Sequence, residues 1–256
     1  MYIGFVDSDD YIELTTIEEC YRVAQKEKAD LVCFGHDKVT SEGKVIGRRL
    51  PMPPKSVFTE NEVREQLMPM TLSYNARTGE DWQLSLSACF DMFSMRIIHE
   101  TGWRFVSERE IISEDYYSVL EYYQYAKKVV FIDKIFYHYT TNVNSLSQSY
   151  RPDRYEKIKY FAFKLEELSK KMNCDEILQD RIPIVFLGAT IDSGKMCGAK
   201  VVRKAFPEEK VGAICKENGK PHIIEYYELS EEMTYQKNED GSLAYGFGVI
   251  LNYLFP

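Results

Sequence analysis

The sequence predicts an α/β fold, and three features of its first 35 residues carry that reading. A short apolar run, residues 2–6, ends abruptly in Asp7, Asp9 and Asp10. A helical apolar stripe of Ile17, Cys20, Tyr21 and Ala24 follows it. Residues 29–34 (Ala-Asp-Leu-Val-Cys-Phe) then read as a second buried strand, ending at Gly35. Strand, carboxylates, helix and strand, in that order, is α/β in character. Ligands of open α/β sheets bind at the carboxyl ends of the strands, where this pattern delivers its acids. Three packed carboxylates repel one another, so a cation or hydrogen-bond donors are expected around them.

The remaining elements follow from local signals. Thr15 and Glu18 have the spacing of a capping box at the start of the first helix. Residues 36–58 read as a hairpin or loop with its turn at Ser41-Glu42-Gly43-Lys44, and Pro51, Pro53 and Pro54 then break regular structure. Thr59-Glu60-Asn61-Glu62 is a second capping box, opening a helix through Val63, Leu67 and Met70. Residues 73–81 are polar and loop-like. Residues 85–102 read as a helix stopped by Gly102. Ser113 is placed to cap a helix from Glu114 to about Lys128, with Glu114 and Asp115 in the first turn, where the helix dipole favours negative charge. Residues 129–132 and 135–139 read as two strands. Arg151-Pro152-Asp153 marks a boundary, giving a first region of residues 1–150 and a mainly helical region of residues 151–256. The latter holds helices over residues 154–172 and 176–192, the second interrupted by Pro183. A strand over 223–229, a turn at Asp240-Gly241 and an apolar end over 247–255 complete the chain.

Composition narrows the class. The chain has 256 residues, 45% hydrophobic and 28% charged, as in an ordinary globular protein. A net charge of −8 argues against a general nucleic-acid binder. No stretch approaches the roughly 18 apolar residues of a membrane span. The six cysteines are scattered without a Cys-x-x-Cys pair, which favours reduced thiols over a zinc site and a cytoplasmic location, with a peripheral membrane association left open. Trp82 and Trp103 read as packing residues rather than sugar-stacking platforms, and His138 as a strand residue rather than a ligand.

Three motifs taken together carry a resemblance. Phe5-Val6-Asp7-Ser8-Asp9-Asp10-Tyr11 resembles the Asp-x-Asp signature of family 2 glycosyltransferases with a GT-A fold. Ile112-Ser113-Glu114-Asp115-Tyr116-Tyr117 is similar to the family's Glu-Asp motif. Tyr137-His138-Tyr139, followed by Asn144-Ser145-Leu146-Ser147, is similar to its closing segment. The resemblance covers about residues 1–150 and implies the C-terminal part of a GT-A type mixed sheet flanked by helices.

The resemblance also implies a chemistry: inverting, metal-dependent transfer of a sugar from a nucleotide-sugar donor, a UDP-sugar, to a glycan or other acceptor. Asp9 would be the ligand of Mn²⁺ or Mg²⁺, Asp7 would lie near the nucleoside, and Asp10 would be a secondary donor-binding group. Asp115 would be the base that takes the acceptor's proton, with Glu114 beside it. Two adjacent carboxylates repel, which raises the pKa of one, while the helix dipole opposes that rise.

Departures from the family pattern bear on activity. Cys89-Phe90-Asp91 stands where relatives carry an Asn-Lys or similar polar pair, and Thr140-Thr141 where an arginine often follows the tyrosines. Family members also place two or more βα units before the acidic motif, whereas six residues precede Asp7 here. The resemblance therefore implies an incomplete donor site, and an exposed first strand covered by a second copy or by a partner. The alternative of a different class is a non-catalytic glycosyltransferase remnant or an interaction and oligomerisation module. An acidic-motif phosphohydrolase of the haloacid dehalogenase type fits less well, because Tyr11 stands where a Thr or Val is usual.

Overall fold

Two long parallel strands form the spine of the structure, a computed structural model. It describes residues 1–72, 84–141, 153–179, 181–183, 185, 186 and 189, together with the backbone of residues 210–217, 220–228, 236–237 and 243–244. The spine strands are β3 (Leu31–Val39) and β7 (Lys128–Thr140), and each is long enough to take two short partners on its outer side. Beside β3 lie β6 (Asp91–Ser94) and then β1 (Tyr2–Gly4), with β4 (Val45–Arg49) further along. Beside β7 lie β5 (Val57–Thr59) and, further along, β2 (Tyr11–Ile12). Every pairing except β3 with β7 is antiparallel. The expected α/β class, a mixed sheet flanked by helices, is the one the chain adopts.

Alternation along β3 builds the layers. Val32 and Phe34 face α1 (Thr16–Glu27) and pack with Cys20, Ala24, Met92, Val130 and Phe136. Leu31 and Cys33 face the other side, where Phe93, Val119, Leu120, Tyr123 and Phe131 close the larger core. That core also takes up α3 (Met95–Thr101), α4 (Glu114–Tyr123) and α5 (Arg154–Lys171), whose Ile158, Phe161 and Leu165 are buried in it. A short α6 (Asp175–Leu178) adds Leu178. The α1 stripe is narrower than its sequence suggests: Cys20 and Ala24 are fully buried, whereas Ile17 and Tyr21 are about half exposed.

Several local expectations are corrected. Thr15 precedes α1 without a side-chain cap. At the second capping box only the acidic half forms: Glu62 accepts from the Thr59 N–H at 2.9 Å, and Lys55 with these Thr59 donors holds its carboxyl well below the usual range. A π-helical turn, Val63–Leu67, then leads into α2 (Met68–Leu72). Residues 85–102 are not one helix: a 3₁₀ turn (Ala88–Phe90) and the buried strand β6 precede α3. Gly102 does stop α3, with a left-handed φ of 70°. Ser113 also takes a left-handed φ of 55°, so its hydroxyl caps nothing. The two strands expected over 129–139 are one, because Asp133 and Lys134 cross on its exposed middle without breaking it.

Gly35 does not end β3. It is the point of closest approach in the hairpin, where an added Cβ would meet the Arg49 carbonyl at 2.7 Å and Ile135 Cδ1 at 2.8 Å. Backbone cannot give way as a flexible side chain can. Gly35→Ala is therefore expected to lower stability by about 1–3 kcal/mol, read from a urea midpoint. Gly43, in the expected turn, has φ 80° and open space around it.

Beyond residue 189 the described backbone forms two antiparallel pairs, β8 (Lys210–Glu217) with β9 (Lys220–Glu228) and β10 (Gln236–Lys237) with β11 (Leu243–Ala244). The strand expected over 223–229 falls largely within β9. The apolar end and the polar loop over 73–81 lie outside the described residues, as do Trp82 and residues 144–147. Among the described residues no helix is long and apolar enough to cross a membrane.

Candidate active site

The acidic run crosses the sheet. β1 lies at one edge and β2 at the other, so residues 5–10 pass over the ends of the strands between them. β1, β3 and β7 run in the same direction, which puts this crossing at their carboxyl ends, where a ligand site is expected. A tight turn closes it, the Asp10 N–H donating to the Asp7 carbonyl at 3.1 Å.

Tyr137 anchors the turn from below. Its hydroxyl donates to Asp10 Oδ2 at 2.5 Å and accepts from the Asp7 N–H at 3.3 Å. The Thr140 N–H donates to Asp10 Oδ1 at 2.7 Å, so both Asp10 oxygens are engaged. Burial raises the Asp10 carboxyl, the Tyr137 and Thr140 donors oppose it, and Asp9 and Asp7 add to the rise, with a net upward shift. Asp10 is thus the structural member of the run. Asp9 is exposed and makes no hydrogen bond among the described residues. Burial pushes the Cys89 thiol up to about 11, and the Asp7 carboxylate adds to the rise.

The Glu-Asp pair begins α4. Burial raises the Glu114 carboxyl, and Asp115, Glu108 and Asp7 raise it further against one opposing backbone hydrogen bond. Asp7 and Glu114, more than 100 residues apart in sequence, thus lie within electrostatic reach of each other. The member of the pair that shifts upward is Glu114. Asp115 Oδ1 accepts from the Tyr116 N–H at 2.7 Å, and Tyr116 fixes the helix start by donating to the Thr71 carbonyl at 2.6 Å.

Asp91, the first residue of β6, is 3% exposed. Burial pushes its carboxyl up to about 8; a hydrogen bond with Cys33 lowers it and Asp115 raises it. Its Oδ2 has no hydrogen-bond partner. Sequence reasoning noted Asp91 only as a departure from a motif. The available signal was the four-residue run Asp91-Met92-Phe93-Ser94, whose central apolar pair fits a short buried strand as well as a helix. Tyr137 was named within a motif but given no role, and Thr140 was read only as a missing cation.

A divalent ion fits here only together with a substrate. Among the described residues, no three His, Cys, Asp or Glu side chains converge to hold a metal. Asp9 offers a free carboxylate, and Mg²⁺ or Mn²⁺ takes its remaining oxygens from phosphates and water in such sites. Trp103 is a packing residue, buried against Phe93 with its Nε1–H donating to the Ser118 carbonyl at 3.1 Å. His138 lies in β7 and meets Glu13 at 2.9 Å. Cys20, Cys33, Cys89 and Cys174 are free and buried. A cavity of about 440 Å³ opens at the other end of the sheet, between Lys28, Asp30, Arg96 and Lys127, away from these carboxylates.

No protein-family model matches the chain. Its sequence is 46% identical over 81 residues to human UDP-N-acetylhexosamine pyrophosphorylase-like protein 1, a stretch that is 32% of this chain and 16% of the human protein. It is 38% identical over 81 residues to UDP-N-acetylglucosamine pyrophosphorylase of Saccharomyces cerevisiae, 32% of this chain and 17% of the yeast protein. The chain thus spans about a sixth of the length of these relatives. Among solved structures, S. aureus TarS 1-349 in complex with UDP-GlcNAc is similar with a TM-score of 0.49 and 18% identity, over 77% of this chain and 56% of that fragment.

Proposed function

We propose that the chain is a sugar-nucleotide-dependent transferase, and that its reaction is inverting, metal-assisted glycosyl transfer from a UDP-sugar to a glycan or other acceptor. The observation that supports this reading is that Asp7, in the acidic crossing, lies within electrostatic reach of Glu114 at the start of α4. The names of its sequence relatives supply the nucleotide sugar, UDP-N-acetylglucosamine.

In this reading Asp9 holds Mg²⁺ or Mn²⁺ against the donor diphosphate. The ion, when bound, neutralises charge on the leaving group. Asp10, tied to Tyr137 and Thr140, keeps the turn in shape. Asp115 takes the acceptor's proton. Glu114, whose carboxyl burial shifts upward, stands beside it. The free outer edge of β1 is covered by a second copy of the chain or by a separate partner.

Calorimetric titration of UDP with and without Mn²⁺ tests the donor site. Binding is expected to need both Mn²⁺ and Asp9, and to vanish in Asp9→Asn. Asp115→Asn is expected to keep that binding and to lose about 10²–10⁴-fold in transfer rate. No binding at millimolar UDP would overturn the enzymatic reading and favour a remnant or interaction module. The pyrophosphorylase matches favour a second reading, nucleotidyl transfer. Exchange of labelled pyrophosphate into UTP in the presence of UDP-N-acetylglucosamine would support it, whereas release of UDP supports glycosyl transfer.

A further inference from the structure

We infer that the cavity at the amino ends of β3 and β7 is a second ligand site, one that takes a doubly charged phosphate group. The cavity holds about 440 Å³, and Lys28, Arg96, Lys127 and Lys128 stand around it with one carboxylate, Asp30. Different elements deliver these cations. Lys28 ends α1 with a left-handed φ of 53°. Arg96 lies in the first turn of α3. Lys127 and Lys128 lead into β7, and Asp30 Oδ2 holds their backbone N–H groups at 2.8 and 3.2 Å. The site is thus built on backbone fixed by hydrogen bonds. It lies at the opposite end of the two spine strands from the acidic crossing.

The neighbouring acids do not balance these cations. Asp30 and Glu100 pair with Arg96 at 2.6 and 2.7 Å, and Glu27 pairs with Lys128 at 3.1 Å. Lys28 and Lys127 make no ion pair among the described residues, although the chain carries a net charge of −8. A phosphate group carries about two negative charges near neutral pH, which matches the excess. Ser94 supplies a neutral donor. It lines the same cavity, is 6% exposed, and precedes α3 where a serine ordinarily spends its hydroxyl on the helix. Here the hydroxyl makes no hydrogen bond among the described residues, and the Met95 N–H donates instead to the Met1 carbonyl at 3.0 Å. A buried hydroxyl without a partner is costly, and a phosphate oxygen would accept from it. Arg96 spends Nη1 and Nη2 on Glu100 and Asp30 and keeps further N–H donors for the same anion.

Titration of inorganic phosphate into the full chain, followed by amide NMR at constant low ionic strength, tests the site. No divalent ion or UDP-sugar is present, so the result is independent of the transfer reaction. Saturable shifts are expected at Ser94, Lys127 and Lys128 and not at residues 5–10. The double variant Lys28→Gln, Lys127→Gln is expected to weaken binding about tenfold or more. Both lysines are exposed, so this variant keeps the fold. Ser94→Ala is expected to weaken binding about two- to tenfold. Glycerol 3-phosphate distinguishes the source of the group: tighter binding than inorganic phosphate assigns a phosphate monoester, and weaker binding assigns the free ion. Shifts that do not saturate, that centre on the acidic crossing, or that persist unchanged in the lysine variant would overturn the proposal.

Discussion

Asp30→Ala is expected to lower the unfolding free energy by about 3–5 kcal/mol, read from urea midpoints. Asp30 is 6% exposed and sits just before β3, where three elements meet. Its Oδ2 accepts from the backbone N–H groups of Lys127 and Lys128 at 2.8 and 3.2 Å, at the entry to β7. Its Oδ1 pairs with Arg96 Nη2 at 2.6 Å. Its own carbonyl accepts from the Tyr122 hydroxyl at 3.0 Å and the Ser94 N–H at 2.9 Å. Alanine keeps those carbonyl contacts but leaves two strand-entry N–H groups and a guanidinium without their acceptor. The guanidinium is the smaller part, since the Arg96 side chain is 51% exposed and water screens it. Arg96→Ala is therefore expected to cost less than about 1 kcal/mol. Asp30→Asn, which retains one acceptor oxygen, should fall between the two. Equal losses in Asp30→Ala and Arg96→Ala would show that the ion pair, and not the strand entry, is what matters.

Asp91→Asn should change how stability depends on pH, and the sign is fixed by the direction of the shift. The native Asp91 carboxyl titrates at about 8, against an ordinary value of 3.8. Between those values the folded chain holds a proton that the unfolded chain has released. The Asp91 contribution to stability is therefore fully present below about pH 4 and is lost as pH rises toward 8, at about 1.4 kcal/mol per unit. Over the whole window this comes to roughly 6 kcal/mol. Asparagine has no proton to lose, so the variant should gain on the parent chain steadily from pH 5 to 8 and keep its lead above that. Denaturation curves at several pH values decide the matter. Parallel behaviour of the two chains would mean that Asp91 is ionised in the fold.

The parts of this fold that the sequence discloses are those where burial leaves a period. The α1 helix, β3, the β3–β4 hairpin and α5 all announce themselves, because one face or a whole short run must be apolar. β6 does not. Four residues buried on both faces have no alternation, and Asp91 at their head reads as the polar side of a helix. The caps at Thr15 and Ser113 fail for a different reason. Capping residues offer a hydroxyl, but backbone torsion decides its use, and Ser113 enters α4 from the left-handed region. Asp7, Asp9, Asp10, Glu114 and Asp115 stand out in the sequence as two motifs, and Asp7 of the first acts electrostatically on Glu114 of the second. The division of labour among them does not stand out there. That Asp10 is tied down while Asp9 stands free depends on Tyr137 and Thr140, which reach it across about 130 residues of sequence.

The spine of the sheet also has a kinetic meaning. Leu31 pairs with Val129, and all other strands of the sheet attach, directly or through β6, to β3 or β7. Among the described pairings of this sheet, only the β3–β4 hairpin joins neighbours in sequence. The others join segments roughly 60–130 residues apart, whose closure entropy must be met before their contacts compensate it. The chain should therefore fold slowly for its size, with β3 and its hairpin ordered first and the acidic crossing completed last, when β7 brings Tyr137 into place.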